Sequence, residues 1–390
     1  MSADERNTNI MKKVFSVVGA RPNFMKVAPI HRALAAYSDH IQHVVVHTGQ
    51  HYDAIMSDAF FDDLDMPEPG YFLRVGSGSH ATQTAKIMTA FETVCLEGEP
   101  DLVIVVGDVN STLACALTAT KLGIPVIHVE AGLRSGDRTM PEELNRLATD
   151  AVCDYAYTSE PSAIEHLLRE GWAEDRIKFV DNTMIDSQHY ARERAVMSPV
   201  LKELGLIDGD YILVTLHRPS NVDNQAQLSS LLNALANLSL EKTVVLPAHP
   251  RTMSKIEAFG LGGILDEHPQ LKVIGPQGYV RFLRLVMGSD FVITDSGGLQ
   301  EETTALGIPC LTVRTTTERP ITCDLGTNQL IEPNGETLLE AARLILGGTR
   351  KKGSIPMFWD GATGGRIARR IMQLLYPENS IPKNDKGSVA

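Results

Sequence analysis

Short runs of apolar, often β-branched residues alternate with longer amphipathic stretches along most of the chain. The apolar runs predict eight strands, at residues 14–19, 44–47, 102–107, 124–130, 211–217, 243–249, 291–295 and 308–314. Amphipathic stretches between them predict helices, including 111–121, 142–150, 225–236 and 300–305. Nearly continuous apolar strands are typical of parallel sheets covered by helices on both faces. The pattern therefore predicts a doubly wound α/β fold.

The two halves of the chain repeat one pattern. In each half a strand ends in a short polar or glycine-containing turn, and a helix follows. The segment Leu-Gly-Ile-Pro, at 122–125 and at 306–309, then leads into the next strand. Any βαβ protein could repeat in this way, but 390 residues are enough for about two or three domains. We therefore predict two similar domains over 12–186 and 187–365, with a ligand between them at the carboxyl ends of the strands.

Composition narrows the class of ligand. The formal net charge is −12, from 36 Lys and Arg against 48 Asp and Glu, so the chain lacks the basic field of nucleic-acid-binding proteins. Five scattered cysteines without a C-x-x-C pair predict a reducing compartment and no zinc site, and no histidine spacing predicts a metal. Without a signal-type segment or an apolar run of about 20 residues, we expect a cytoplasmic protein with no membrane contact.

Two segments are suited to binding a small anion. Arg21 follows Gly19 at the end of the first predicted strand, where a helix begins. Ser296 and Gly297 lie at a second strand-to-helix junction, whose free backbone N–H groups and dipole favour phosphate. Two acidic residues in the first turn of that helix, 301 and 302, have two open interpretations. They either complement the helix dipole or bind the two hydroxyls of a ribose.

Carboxylates follow two neighbouring predicted strands of the first half. Asp108 and Glu130 close these strands, and Glu142 lies at a predicted helix start, so we expect all three in one crevice. Such a group suits acid and base chemistry, because crowding and burial separate the carboxyl pKa values. The alternative for each is an N-cap or an ion pair with Arg134 or Arg138. His217 closes a strand of the second half, either as a ligand to phosphate or sugar or as a buried structural histidine.

Eight motifs in register resemble one enzyme family. They are Gly-Ala-Arg-Pro-x-x-x-Lys, His-Thr-Gly-Gln-His-Tyr-Asp, Gly-Asp-x-x-Ser-Thr, His-Val-Glu-Ala-Gly-Leu-Arg-Ser-Gly, Pro-Glu-Glu-x-Asn-Arg, His-Arg, Asp-Ser-Gly-Gly-x-Gln-Glu-Glu and Thr-Thr-Glu-Arg-Pro, beginning at Gly19, His47, Gly107, His128, Pro141, His217, Asp295 and Thr316. From about residue 14 to 376 the chain closely resembles the non-hydrolysing UDP-N-acetylglucosamine (UDP-GlcNAc) 2-epimerases.

The resemblance implies a GT-B fold of two Rossmann-like domains, with a last helix at 366–376 that crosses back to the first domain and flexible tails at 1–11 and 377–390. It implies a homodimer that uses no cofactor and inverts C2 of UDP-GlcNAc through an enzyme-held glycal. Its match assigns acid and base chemistry to Asp108, Glu130 and Glu142, assisted by His217. It assigns substrate and UDP binding to Arg21, Lys26, Phe282, Ser296, Gly297, Gly298, Glu302 and Arg319.

Some features leave the assignment open. Gln50, His51 and Arg218 resemble the lining of a second, activating UDP-GlcNAc site, but Ser220 stands where many relatives have Glu, which puts that activation in doubt. Relatives that act on UDP-diacetamido-uronic acids share most of the motifs. A GT-B glycosyltransferase, a hydrolysing epimerase and a non-catalytic nucleotide-sugar sensor are the further alternatives. The carboxylate trio disfavours the glycosyltransferase, since sugar transfer needs no base at C2.

Overall fold

The computed structural model describes residues 11–49 and 63–377, and of Arg21 only the backbone. The first half holds a parallel sheet of seven described strands in the order β3-β2-β1-β4-β5-β6-β7. Its strands are β1 Lys12–Val18, β2 Ile41–His47, β3 Tyr71–Phe72, β4 Leu102–Val106, β5 Val126–Val129, β6 Tyr155–Thr158 and β7 Ile177–Phe179. Its helices are Arg21–Ala35, His80–Gly98, Asn110–Lys121, Pro141–Val152 and Pro161–Arg169, with a 3-10 turn at Glu174–Arg176.

The second half repeats this topology with six described parallel strands in the order β10-β9-β8-β11-β12-β13. They are β8 Tyr211–Thr215, β9 Thr243–Pro247, β10 Leu271–Ile274, β11 Phe291–Thr294, β12 Cys310–Val313 and β13 Asn328–Ile331. The helices from residue 183 onward are Thr183–Val196, Val200–Glu203, Pro219–Val222, Gln225–Ser239, Pro250–Ala258, Gly262–Asp266, Tyr279–Met287, Gly297–Leu306, Pro320–Asp324, Gly335–Leu346 and Thr363–Leu375.

The predicted doubly wound, two-sheet architecture is confirmed. Central strands such as β4 are buried along their whole length, as their unbroken apolar runs predict. Each sheet reverses its strand order beside its first strand, between β1 and β4 and between β8 and β11. Ligands of open α/β sheets bind at such switch points, outside the carboxyl ends of the strands. No helix in the described ranges is long and apolar enough to cross a membrane.

The last helix, Thr363–Leu375, returns to the first half of the chain. Its buried side chains share a core with those of the helix Arg21–Ala35. A Cβ on Gly364 would lie 2.4 Å from the Pro29 carbonyl oxygen, so the close approach of the two helices needs a glycine there. The expected boundary at 186/187 falls inside the helix Thr183–Val196, which packs on both halves. The domain bounds themselves stay a prediction.

Asp181, just before that helix, combines a strained backbone with a buried carboxyl group. Its φ is 80°, a region that favours glycine. Its carboxyl oxygens accept no hydrogen bond from the described residues, and Arg366 Nη2 lies 3.6 Å from Oδ2. Burial raises the pKa of Asp181 to about 7, an effect that Arg366 only partly opposes. Ionising this group therefore costs stability as the pH rises from about 4 to 7.

We expect Asp181→Gly to raise the free energy of unfolding by about 1–2 kcal/mol at pH 8, because it removes both the strain and the buried charge. The gain should be smaller at pH 5, where the carboxyl group is neutral in the folded protein. Urea unfolding at both pH values measures it. Glu99→Gly is the control, since Glu99 also has a positive φ, of 46°, but is exposed. A destabilised Asp181→Gly variant, or a gain equal at both pH values, would contradict this account.

Candidate active site

Glu130 joins the two halves of the chain. It follows β5, is buried, and binds Lys26 Nζ through Oε2 at 2.7 Å. Its other oxygen, Oε1, accepts a hydrogen bond from Arg319 Nη2 of the second half. Burial disfavours a charge on Glu130, but Arg319 and Lys26 outweigh it and hold the pKa of Glu130 below its usual range. The cleft thus contains a carboxylate that stays ionised between two buried cations.

Asp108 follows β4 at the neighbouring strand end, as expected. Its Oδ2 lies 2.5 Å from Arg146 Nη1, and its side chain is 26% exposed. Arg146 also binds Glu143 Oε2 at 2.7 Å, and Glu143 accepts the backbone N–H groups of Ser135 and Gly136. The alternative in which Asp108 pairs with Arg134 or Arg138 does not hold, because its partner is Arg146, and Arg134 binds Asp150 and Glu170. Arg146 is a site residue that sequence reasoning missed.

His217 lies at the corresponding strand end of the second half. Its Nδ1 is 3.0 Å from Asp295 Oδ1, and the ring is 39% exposed, so it is not a fully buried structural histidine. Asp295 is fully buried and also accepts the backbone N–H groups of His217 and Arg218. Burial raises the pKa of Asp295, but His217 and these donors lower it overall. Asp295 therefore fixes the ring, leaving Nε2 for another partner.

The predicted anion-binding junction forms at the start of the helix Gly297–Leu306, with Ser296 at its N-cap. Glu318 packs against it, since a Cβ on Gly297 would lie 2.4 Å from Glu318 Oε1. Arg314 Nη2 binds Glu318 Oε2 at 2.7 Å, and Arg218 Nη2 lies 3.8 Å from Oε1. Free helix N–H groups at this junction favour an anion, while the two guanidinium groups are already paired with the Glu318 carboxylate. Arg314 and Glu318 had not been predicted.

Glu302 lies farther along the same helix. Because the helix begins at Gly297, residues 301 and 302 lie in its second turn, so the expectation of a first-turn, dipole-complementing position is wrong. Glu302 is buried, and Tyr279 OH donates a 2.7 Å hydrogen bond to its Oε1. Burial raises the pKa of Glu302 to about 7. Phe282, one turn after Tyr279 on the helix Tyr279–Met287, is half-buried against a hydrophobic cluster of the second half.

The remaining predicted residues have few described contacts or lie outside the described residues. Glu142 is at the start of the helix Pro141–Val152, as expected, and is half-buried. Gly298 follows Gly297 in the first turn of its helix, where an added Cβ would meet Met184 Cε at 3.3 Å. Gln50, His51 and the side chain of Arg21 lie outside the described residues. The structure therefore brings together nine of the predicted residues around the two strand-end edges: Lys26, Asp108, Glu130, His217, Arg218, Ser296, Gly297, Glu302 and Arg319.

Comparison with known families agrees with this geometry. A profile described as UDP-N-acetylglucosamine 2-epimerase matches residues 32–372. The chain belongs to the UDP-N-acetylglucosamine 2-epimerase family. It is therefore an isomerase of nucleotide sugars, with the two-domain GT-B fold of that family.

Two members of the UDP-GlcNAc 2-epimerase family illustrate the similarity. The UDP-N-acetylglucosamine 2-epimerase of Methanocaldococcus jannaschii is 40% identical over 367 residues, 92% of this chain and 98% of that protein. Its crystal structure with UDP-GlcNAc and UDP has a TM-score of 0.86, covering 92% of this chain and 99% of that one. The Neisseria meningitidis UDP-GlcNAc 2-epimerase structure, bound to UDP-GlcNAc, is 27% identical with a TM-score of 0.85, covering 93% and 100%.

The family also includes an enzyme with a different named substrate. The UDP-2,3-diacetamido-2,3-dideoxy-D-glucuronate 2-epimerase of Pseudomonas aeruginosa is 39% identical over 368 residues, 93% of this chain and all of that protein. Overall similarity to the UDP-GlcNAc and diacetamido-glucuronate enzymes is thus nearly equal. Membership of this family identifies the activity as 2-epimerisation of a nucleotide sugar. The family includes enzymes that act on different sugars.

Proposed function

We propose that this protein interconverts UDP-GlcNAc and UDP-N-acetylmannosamine (UDP-ManNAc) without net hydrolysis. The observation that carries the proposal is the contact of Glu130 with both Lys26 and Arg319, since Arg319 also contacts Glu301 on the helix that begins at Gly297. An ionised carboxylate and a helix terminus suited to an anion thus belong to the same cleft. Elimination of a diphosphate needs both: a negative group near the cationic sugar carbon and a dipole that accepts the leaving anion.

The reaction has two balanced steps. A base removes the C2 proton while the bond from C1 to the diphosphate oxygen breaks, so that a C1–C2 double bond and free UDP form. A proton then returns to C2 on the opposite face, and UDP adds back to C1. Backbone N–H groups at Gly297 stabilise the departing diphosphate, and His217 Nε2 is available to a phosphate or sugar oxygen.

We assign the three carboxylates different parts. Glu130 is buried between two cations that hold its pKa below the usual range, so we assign it to stabilise positive charge at C1. Asp108 and Glu142 are only partly buried, and we assign proton exchange with C2 to them. We assign Glu302, whose carboxyl group accepts a hydrogen bond from Tyr279, to the ribose hydroxyls, and Phe282, on the helix of Tyr279, to the uracil.

The test is incubation of the purified protein with UDP-GlcNAc in D₂O, followed by proton and phosphorus NMR. We expect an equilibrium mixture with UDP-ManNAc, deuterium at C2, and no net release of UDP. No deuterium at C2 would sink the epimerase proposal, and accumulating UDP would point to hydrolysis. The Pseudomonas relative makes UDP-2,3-diacetamido-2,3-dideoxy-D-glucuronate the second candidate substrate, so the same assay with that compound compares kcat/KM directly.

Three statements from the sequence stay predictions. They are the homodimer, the cytoplasmic location and the activating second UDP-GlcNAc site at Gln50, His51 and Arg218. Light scattering of the purified protein tests the first. A hyperbolic dependence of rate on UDP-GlcNAc, with no lag in the reverse reaction from UDP-ManNAc alone, would count against the third.

Gly297→Ala is expected to weaken UDP binding about tenfold, or about 1.4 kcal/mol, since its Cβ would collide with Glu318 and shift the helix start. Titration calorimetry with UDP measures this. Gly298→Ala is the matched control, because its Cβ meets only the flexible end of Met184 at 3.3 Å. We expect less than about a threefold loss there. If Gly297→Ala bound UDP as tightly as the native protein does, the diphosphate would not bind at this helix start.

A further inference from the structure

Arg319 is held from both sides of the cleft. Its Nη2 donates to Glu130 Oε1, and its Nε lies 3.2 Å from Oε1 of Glu301. All three side chains are buried. Within the described residues, Arg319 Nη1 has no hydrogen-bond partner and is available to a substrate oxygen. The direction in which Arg319 points thus depends on two carboxylates, of which only Glu130 has been placed in the chemistry.

Glu301 is in turn fixed by Asn182, at the start of the helix that joins the halves. Asn182 Nδ2 donates a 2.7 Å hydrogen bond to Glu301 Oε1. The same side chain caps its own helix, because its Oδ1 accepts the Met184 N–H at 2.9 Å. Both polar ends of Asn182 are therefore used, and its amide cannot turn without loss of one bond. This makes Asn182 a rigid support for Glu301.

These contacts form one buried chain, Asn182–Glu301–Arg319–Glu130–Lys26, that crosses the cleft twice. Glu301 also lies next to Glu302, the proposed ribose ligand, on the helix whose start is the proposed diphosphate site. A movement of that helix on nucleotide binding would move Glu301 and, through it, Arg319. Glu160 and Glu318 are the other carboxyl groups that face Arg319.

We propose that Glu301 is a positioning residue that holds the Arg319 guanidinium on Glu130, and that Asn182 supports it. Glu301 does not touch the reacting atoms in this assignment. It acts by fixing the cation that keeps Glu130 ionised and that offers Nη1 to the substrate. The inference rests on the proposed 2-epimerase function, whose own test is the native protein's turnover of UDP-GlcNAc.

Burial raises the pKa of Glu301 to about 8, so at pH 7 the group acts mainly as a hydrogen-bond acceptor. Glu301→Leu removes the Oε1 that lies 3.2 Å from Arg319 Nε, whereas Glu301→Gln keeps an oxygen at that position. We expect kcat to fall about tenfold in Glu301→Leu, with KM and the Kd for UDP within about twofold, and Glu301→Gln to keep kcat within about twofold of the native value. A purely structural role would lower the stability of Glu301→Leu without this split between kcat and KM.

Asn182→Ser is the second variant, since serine caps a helix about as well as asparagine but has no amide to donate to Glu301. We expect about a threefold lower kcat and an unchanged KM. Glu257→Leu, at an exposed position on the helix Pro250–Ala258, is the control for the same substitution away from the cleft. Its kinetics should match those of the native protein.

Crystal structures of the variants with UDP give a readout that does not need turnover, since Arg319 should shift from its native position beside Glu130 in Glu301→Leu and keep that position in Glu301→Gln. If the native protein does not epimerise UDP-GlcNAc, the proposed function fails, and these structures still decide the positioning role. Native kcat in both Glu301→Leu and Asn182→Ser would overturn the inference. So would a loss of UDP affinity as large as the loss of kcat. Should Glu301→Leu fail to fold, Asn182→Ser decides.

Discussion

Replacing Asp108 by Asn lowers kcat for UDP-GlcNAc epimerisation by an expected 10²–10⁴-fold, about the size of one proton-transfer contribution, with little change in KM. Asparagine matches aspartate in shape and can still accept a bond from Arg146, which lies 2.5 Å from Asp108 in the native protein. It cannot take or give the C2 proton. Steady-state kinetics and deuterium incorporation at C2 from D₂O measure the two consequences separately.

Glu143→Gln separates proton transfer by Asp108 from its ion pair with Arg146. Glu143 binds the same guanidinium but is buried, and it also accepts the N–H groups of Ser135 and Gly136. Its replacement loosens Arg146 and the loop without touching the proposed proton acceptor. We expect at most about a tenfold fall in kcat. If Glu143→Gln lost as much activity as Asp108→Asn, the role of Asp108 would be to position Arg146. If Asp108→Asn kept the native kcat, Asp108 would have no part in the proton transfer.

The sheets could be predicted where burial alone decides the residue types. Strands such as β4 and β8 are buried on both faces, and their unbroken apolar runs fix both type and position. Strand β6, Tyr155–Thr158, and the two-residue edge strand β3 carry no such run, so the sequence does not distinguish them from loops. Their pairing comes from neighbouring strands that are already in place.

Strand ends could also be predicted from the sequence. We therefore expect Asp108, Glu130 and His217 at the cleft, and all three lie at strand ends there. Their partners could not be predicted. Arg319 is 189 residues from Glu130, and no local periodicity links the two positions. Arg146 is the exception, because its spacing of three from Glu143 on a predicted helix is a recognisable ion-pair pattern that could have been used. Glu318 and Arg314 lie in a loop whose path depends on packing between the halves.

Arg319→Met is expected to reduce both the stability and the activity of the protein. Breaking a buried ion pair costs about 3–5 kcal/mol, because the remaining charge stays buried without its partner. Arg319 is only 5% exposed, and its loss leaves Glu130 with Lys26 alone. Urea unfolding at pH 7 measures the change. Arg350→Met is the control: it breaks a surface pair with Asp290 in which Arg350 is 44% exposed, so less than about 1 kcal/mol is expected.

The dependence of that loss on pH tells the ion pair from simple packing. Arg319 and Lys26 lower the pKa of folded Glu130 below its unfolded value. The pair therefore stabilises the native protein fully above the ordinary carboxyl pKa of the unfolded chain, and this contribution is lost as the pH falls from there through the lower pKa of the folded protein. Without Arg319, the pKa of Glu130 rises and the buried group becomes neutral at a higher pH. The stability gap between native protein and Arg319→Met should thus narrow from pH 7 to about pH 4. A gap that stays constant would mean that methionine merely packs poorly, and that Glu130 does not depend on Arg319 for its charge.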